Sequence, residues 1–279
     1  MILIKEPSSL RNYLKQSSKT VGFVPTMGAL HEGHLQLVAT AKSQADLVVC
    51  SIFVNPTQFN DPADFAKYPI TLAQDILALE RVGLDILFLP TVEGMYPNGT
   101  TALETYDLGF LETVFEGAFR PGHFQGVCQV MSRLLKAVKP QLLFMGQKDY
   151  QQCMVVRKLI ELIKIDTSLV TCPTIRETDG LAMSSRNKRL TNEQRENATG
   201  IFKALNWMQK NLSGYSISEL TSHAKQLLEQ HDFKTDYVAI ADANSLEPIA
   251  SAAPNKELVA LVAAFQGDVR LIDNMLLHG

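Results

Sequence analysis

The chain has 279 residues, 46% of them apolar and 20% charged, and its 26 Lys and Arg against 29 Asp and Glu leave a net charge of −3. This is ordinary globular composition, which excludes a disordered, collagenous or coiled-coil chain, and the missing basic excess argues against general nucleic-acid binding. No apolar run approaches the ~18 residues that span a membrane, and a chain of this length favours two domains.

In chain order, Thr20-Val-Gly-Phe-Val24 reads as a buried strand stopped by Pro25. Leu30, His34, Leu37, Val38, Ala41 and Ala45 then recur at helical spacing. A second strand, 46–54, is closed by Asn55-Pro56, and a helix over 75–81 ends near Gly83. A third strand, 85–89, stops at Pro90, and Val127, Val130, Met131, Leu134 and Val138 mark another helix. Strands at 141–145 and 168–172 enclose a helix at 150–163. Strands that are apolar throughout are buried on both faces, so 1–176 is expected to be an α/β domain with a doubly wound, Rossmann-like parallel sheet. Ligands in such sheets bind beyond the carboxyl ends of the strands.

After residue 177 the pattern changes. Thr191 and Asn192 can cap a helix over 193–209, a second helix covers 216–230, and β-like runs follow at 236–241 and 257–265. A smaller α+β domain over 177–279 is expected, with Glu177-Thr-Asp-Gly180 as a hinge. Cys50, Cys128, Cys153 and Cys172 are too widely spaced for a zinc site, and the N-terminus lacks the pattern of a secretory signal. Reduced thiols in a cytoplasmic protein are expected.

Five loops carry chemistry. The first is Pro25-Thr-Met-Gly-Ala-Leu-His-Glu-Gly-His34, where His31 and His34 share one face of a helix start, a position that favours a phosphate. The second contains Asn55 and Gln58, neutral groups suited to hydroxyls and carboxylates. In the third, Arg120-Pro-Gly-His-Phe124, Arg120 and His123 sit where a helix begins and read equally well as an anion site or as a solvated, capped loop. The fourth, Gly146-Gln-Lys-Asp-Tyr-Gln-Gln152, puts Lys148 near a helix start and Gln152 one turn on. The fifth, Met183-Ser-Ser-Arg186, offers two hydroxyls and a guanidinium.

These blocks, in this order over residues 20–190, resemble the signature of the pantothenate synthetases (pantoate–β-alanine ligases), within the His-x-Gly-His nucleotidyltransferases. Gly267-Asp-Val-Arg-Leu-Ile-Asp273 resembles the family's C-terminal end. The resemblance implies an enzyme that condenses pantoate with β-alanine, using ATP and Mg²⁺, through a pantoyl adenylate, with release of AMP and pyrophosphate. It also implies a homodimer and closure of the second domain over the nucleotide. Met27, Gly28, Ala29, Leu30, His31, Glu32, Gly33 and His34 would line the ATP site, with His34 catalytic and His31 beside it. Gly146, Gln147, Lys148 and Asp149 would also hold ATP, Ile175 would meet adenine through its backbone, and Met183, Ser184, Ser185 and Arg186 would grip the phosphates. Gln58 and Gln152 would hold pantoate, with Asn55 and His123 completing the candidate substrate set. Thr57 and Gln147 depart from the commonest family wording. The metal ligands are unassigned, with Asp75 a candidate outer contact, and 60–68 is a candidate flap. The alternatives are another nucleotidyltransferase acting on a phosphorylated acceptor, a non-catalytic nucleotide-binding module, and a metal hydrolase built on His31, His34 and His123.

Overall fold

The computed structural model describes residues 1–59, 65, 66, 68–249 and 256–278, so most of the candidate flap lies outside the described residues. The chain divides into two compact units, 1–147 with 151–173, and 148–150 with 174–279.

The first unit runs β1 (Ile2–Ile4), α1 (Pro7–Lys15), β2 (Val21–Thr26), α2 (Glu32–Gln44), β3 (Leu47–Ile52), α3 (Leu72–Arg81), β4 (Ile86–Phe88), α4 (Val92–Met95), α5 (Phe115–Phe119), α6 (His123–Val138), β5 (Leu142–Gly146), α7 (Tyr150–Ile163, whose first residue belongs to the second unit) and β6 (Ser168–Cys172). All six strands are parallel, in the order β1-β4-β3-β2-β5-β6. Successive residues of each strand feed opposite cores. Phe23, Val49, Ile86, Phe88 and Leu143 pack with Leu10 of α1, Leu135 of α6 and Leu159 of α7. Val24, Val48, Cys50, Leu87 and Phe144 pack with Val38 and Ala41 of α2 and Leu79 of α3. Each such side chain contributes about 1.5–3 kcal/mol when buried, and with a core on both faces almost every position must be apolar. From β2 the order runs one way through β3 and β4 and the other way through β5 and β6, so the strand order reverses between β2 and β5. The crevice at such a reversal is where doubly wound sheets bind ligands.

The second unit contains α8 (Asn192–Asn197), α9 (Gly200–Asn211), α10 (Ile217–Glu229), β7 (Phe233–Asp242), β8 (Leu258–Gln266) and β9 (Val269–Leu277). Its sheet is antiparallel, ordered β7-β8-β9, with Gln266 opposite Val269 across a two-residue turn. The single helix expected over 193–209 is two helices. Thr191 caps α8 in a capping box with Gln194, and at the junction with α9 the Thr199 hydroxyl donates to the Glu196 carbonyl at 2.9 Å. β1 and β9 are strands that the sequence pattern does not single out. Among the described residues no helix is long and apolar enough to cross a membrane.

Candidate active site

The turn after β2 is built by a buried carboxylate. The Thr26 hydroxyl donates to the Ser51 carbonyl at 2.7 Å, and Gly28 and Ala29 then take positive φ values of 83° and 51°. Glycine is required at 28, where a Cβ would also lie 3.1 Å from Oδ2 of Asp75. Asp75 of α3 is only 3% exposed. Its Oδ2 accepts the N–H of Ala29 and its Oδ1 that of Leu30, both at 2.9 Å, and the Thr71 hydroxyl donates to it at 3.0 Å. Asp75, a candidate outer metal contact from the sequence, thus braces the turn through both carboxylate oxygens. The amides of Ala29 and Leu30 face this carboxylate, so they are not the ones that would meet an anion.

His31 then caps α2, whose first turn includes exposed Glu32 and half-buried Gly33 and His34. The His31 N–H donates to Nδ1 of His34 at 3.3 Å, and the two rings lie 4.1 Å apart, tilted by 41°. A ring that accepts at Nδ1 carries its neutral-form proton on Nε2, so His34 is set as an Nε2–H donor. Half-buried Met27 precedes the turn, and its Sδ accepts from the Gln58 side chain at 3.0 Å.

Gln58 is clamped from three sides. Asn55 donates to its Oε1 at 3.2 Å, and to Thr57 Oγ1 and the Gly126 carbonyl at 3.1 and 3.2 Å. Asn55 in turn accepts the Tyr96 hydroxyl at 2.7 Å. His123 Nδ1 bonds the Gln58 carbonyl at 2.8 Å, and its Nε2 faces the Arg120 guanidinium at 3.0 Å. Guanidinium only donates, so Nε2 accepts and Nδ1–H donates to Gln58. Gly126 lets α6 approach this closely, since a Cβ there would fall 2.2 Å from the Thr57 carbonyl.

Asn55 is wholly buried and His123 is 6% exposed, and their polar groups are taken up inside the protein. Both residues thus hold Gln58, and the two ring nitrogens of His123 are engaged by the Gln58 carbonyl and by Arg120. On α7, Gln152 is half-buried, while its buried neighbour Gln151 braces the loop before α5 by donating to the Leu111 and Val114 carbonyls at 2.8 and 2.9 Å.

In the second unit, Lys148 lies in the short turn Gln147–Asp149 that follows Gly146, with its ammonium 3.8 Å from Oδ1 of Asp149. The Lys148 carbonyl accepts from the Asn274 amide at 2.9 Å. The Ile175 carbonyl accepts the Met183 N–H at 3.0 Å. Ser184 caps the turn Ser185–Arg189, its Oγ accepting the Arg186 N–H at 3.2 Å, with Ser185 buried and Arg186 half-buried. The hinge expected at 177–180 is held by Arg195, which donates to Glu177 at 3.0 Å and Asp179 at 2.7 Å and keeps the Asp179 carboxyl below its usual range.

Sequence reasoning missed Arg176, Asp273 and Asn274. Arg176 pairs with both oxygens of Asp273, at 3.0 Å from Nη2 to Oδ1, and also donates to the Gly180 and Asn274 carbonyls. Burial pushes the Asp273 carboxyl up, opposed by Arg176, the Asn274 N–H and the Lys148 charge. The Gly267 to Asp273 motif was the only local signal. Burial also pushes the Cys50 and Cys128 thiols up to about 12, which makes them poor nucleophiles.

A family model described as pantoate-beta-alanine ligase matches residues 2–276. A pantothenate synthetase of Bacteroides fragilis is 43% identical over 273 residues, covering 98% of this chain and 96% of that one. One from Aeromonas hydrophila is 43% identical over 279 residues, covering 98% and 97%. The crystal structure of pantothenate synthetase from Thermus thermophilus superposes with a TM-score of 0.92 at 40% identity, covering 99% of both chains. That of pantoate-beta-alanine ligase from Francisella tularensis, complexed with beta-gamma ATP and beta-alanine, superposes with a TM-score of 0.83 at 38% identity, covering 99% of this chain and 97% of that one. With full-length identity and a shared fold behind it, the chain belongs to the pantoate–β-alanine ligase family and is an enzyme that joins pantoate to β-alanine to form pantothenate.

Proposed function

We propose that this ligase works in two steps, activating pantoate with ATP before β-alanine reacts. A pantoate carboxylate oxygen attacks the α-phosphorus, and the bond from that phosphorus to the bridging oxygen of pyrophosphate breaks. The β-alanine amine then attacks the acyl carbon, the acyl–oxygen bond breaks, AMP leaves with its electron pair, and the amine loses a proton. The observation that carries this reading is an anchored neutral amide, Gln58, bonded to the Met27 that precedes the turn where His34 carries its proton on Nε2.

The first step brings an anion to a polyanion, so donors must offset their repulsion and stabilise the leaving pyrophosphate. His34 and His31, Lys148, Ser184, Ser185 and Arg186 supply them. Gln58 and Gln152 bind pantoate without adding charge, and Asn55 and His123 act through Gln58. Met27, Gly28, Ala29, Leu30, Glu32, Gly33, Gly146, Gln147, Asp149, Ile175 and Met183 complete the ATP set, with Ala29 and Leu30 shaping its turn. The Francisella relative, complexed with beta-gamma ATP and beta-alanine, supports the substrate assignment. Among the described residues no group of three His, Cys, Asp or Glu side chains could hold a metal ion, which fits a Mg²⁺ that arrives on the triphosphate with its own waters. Bound there, it would neutralise phosphate charge. The enzyme in this reading is a cytoplasmic homodimer, and its four buried cysteines suit a reducing compartment.

Pyrophosphate release from ATP and Mg²⁺ tests the route. Pantoate alone should give a stoichiometric burst, and β-alanine should convert it into steady turnover with AMP. Release without pantoate, or no release until β-alanine is added, overturns the two-step order.

A further inference from the structure

We propose that Asp273 and Asn274 of β9, together with Arg176, are positioning residues for the nucleotide: they hold the Lys148 turn and the 175–186 segment in one fixed register. The inference rests on the phosphate role of Lys148 proposed above.

The Asn274 side chain donates to the Lys148 carbonyl across 126 residues of sequence, at 2.9 Å. Its neighbour Asp273 takes the Arg176 guanidinium on both oxygens. Arg176 lies between Ile175, whose carbonyl holds the Met183 amide, and Glu177, and it pairs as an antiparallel bridge with Ala182. The same guanidinium donates to the Gly180 carbonyl at 3.1 Å and to the Asn274 carbonyl at 3.3 Å. One planar fork therefore ties the turn at 180, the bridge beside Ile175 and the strand that grips Lys148. Arginine alone among the side chains offers this many donors in fixed geometry.

Stability does not explain the arrangement. Val269, Leu271 and Leu277 show that buried positions on β9 accept apolar side chains, yet 273 and 274 are 4% and 2% exposed and polar. A buried ion pair gains little over a well-packed apolar pair, and each unpaired remnant would be costly. What the pair supplies is geometry: it fixes where two phosphate-binding segments lie. Burial raises the proton affinity of Asp273, and Arg176, with smaller help from the Asn274 N–H and the Lys148 charge, lowers it.

A double-mutant cycle on the full-length enzyme tests this, read as KM for ATP and for pantoate in pyrophosphate release. Asn274→Ala should raise the ATP KM by roughly tenfold, the scale of a small misplacement of a binding group, with the pantoate KM unchanged. In a Lys148→Ala background the same substitution should change the ATP KM by less than about twofold, because the group it positions is gone. Arg176→Lys keeps the charge but loses the fork, and should repeat the split if Asn274→Ala folds poorly. Equal factors in both backgrounds, or a joint rise in both KM values, would show a general structural role and overturn the proposal. If Lys148→Ala leaves the ATP KM and the rate unchanged, the phosphate role of Lys148 falls and this inference with it. If Lys148→Ala impairs the enzyme and the β9 and Arg176 variants do not, only the positioning role falls.

Discussion

Helices α2 and α6 both begin near a left-handed glycine, Gly28 and Gly122, and both bring two nitrogen-bearing side chains three residues apart, His31 with His34 and Arg120 with His123. At α6 both ring nitrogens of His123 work inside the protein, one on the Gln58 carbonyl and one on Arg120. At α2 the Nδ1 of His34 closes the start of its own helix, which leaves the neutral ring's proton on Nε2. In the proposed mechanism one ring orients the amide that would bind the acid, and the other would donate where charge develops. What separates them is the partner each finds, since their local sequences, His-Glu-Gly-His and Arg-Pro-Gly-His, are near neighbours in chemistry.

Asparagine can break or sharpen this contrast, because its side-chain amide reaches about as far as Nδ1 and offers nothing at Nε2. His34→Asn keeps an acceptor for the His31 N–H, yet single-turnover pyrophosphate release should fall by about 10²–10³-fold, the usual loss of one preorganised donor. A rate near that of the parent would mean that the two histidines do the same kind of work. Next in size, Gln58→Ala should raise the pantoate dissociation constant by about tenfold, the equivalent of one or two neutral hydrogen bonds, with ATP affinity unchanged. Unaltered pantoate binding in calorimetry would leave the α6 clamp with nothing to position. The smallest effect is expected at His123→Asn, which keeps a donor for Gln58. His123→Ala should lower stability in denaturant melts by about 1–3 kcal/mol and weaken pantoate binding along with it. Equal losses for the Asn and Ala variants would show that the ring does more than donate.

The parallel strands are legible in the sequence because a core on each face leaves them almost no polar positions. β1 is too short to show a pattern, and β9 hides because Arg270, Asp273 and Asn274 interrupt its apolar residues. The loops of the candidate site are legible for a topological reason: they lie where apolar runs stop. Their inner wiring is not legible. Asp75 bonds Ala29 across 46 residues and His123 bonds Gln58 across 65, and no local pattern in one sequence pairs such positions. For that reason the inner partners of Asn55 and His123 cannot be read from their own loops.

The two sheets also differ in when they can form. β7, β8 and β9 follow one another along the chain and pair with sequence neighbours. In the parallel sheet, Gly22 of β2 waits for Leu142 and Ile2 waits for Ile86. Non-local pairing of this kind is slow because chain closure must precede its reward. During synthesis β2, β3 and β4 emerge well before β5. The growing chain therefore passes through a stage in which β2, central in the finished sheet, is a bare apolar edge open to pairing with another chain.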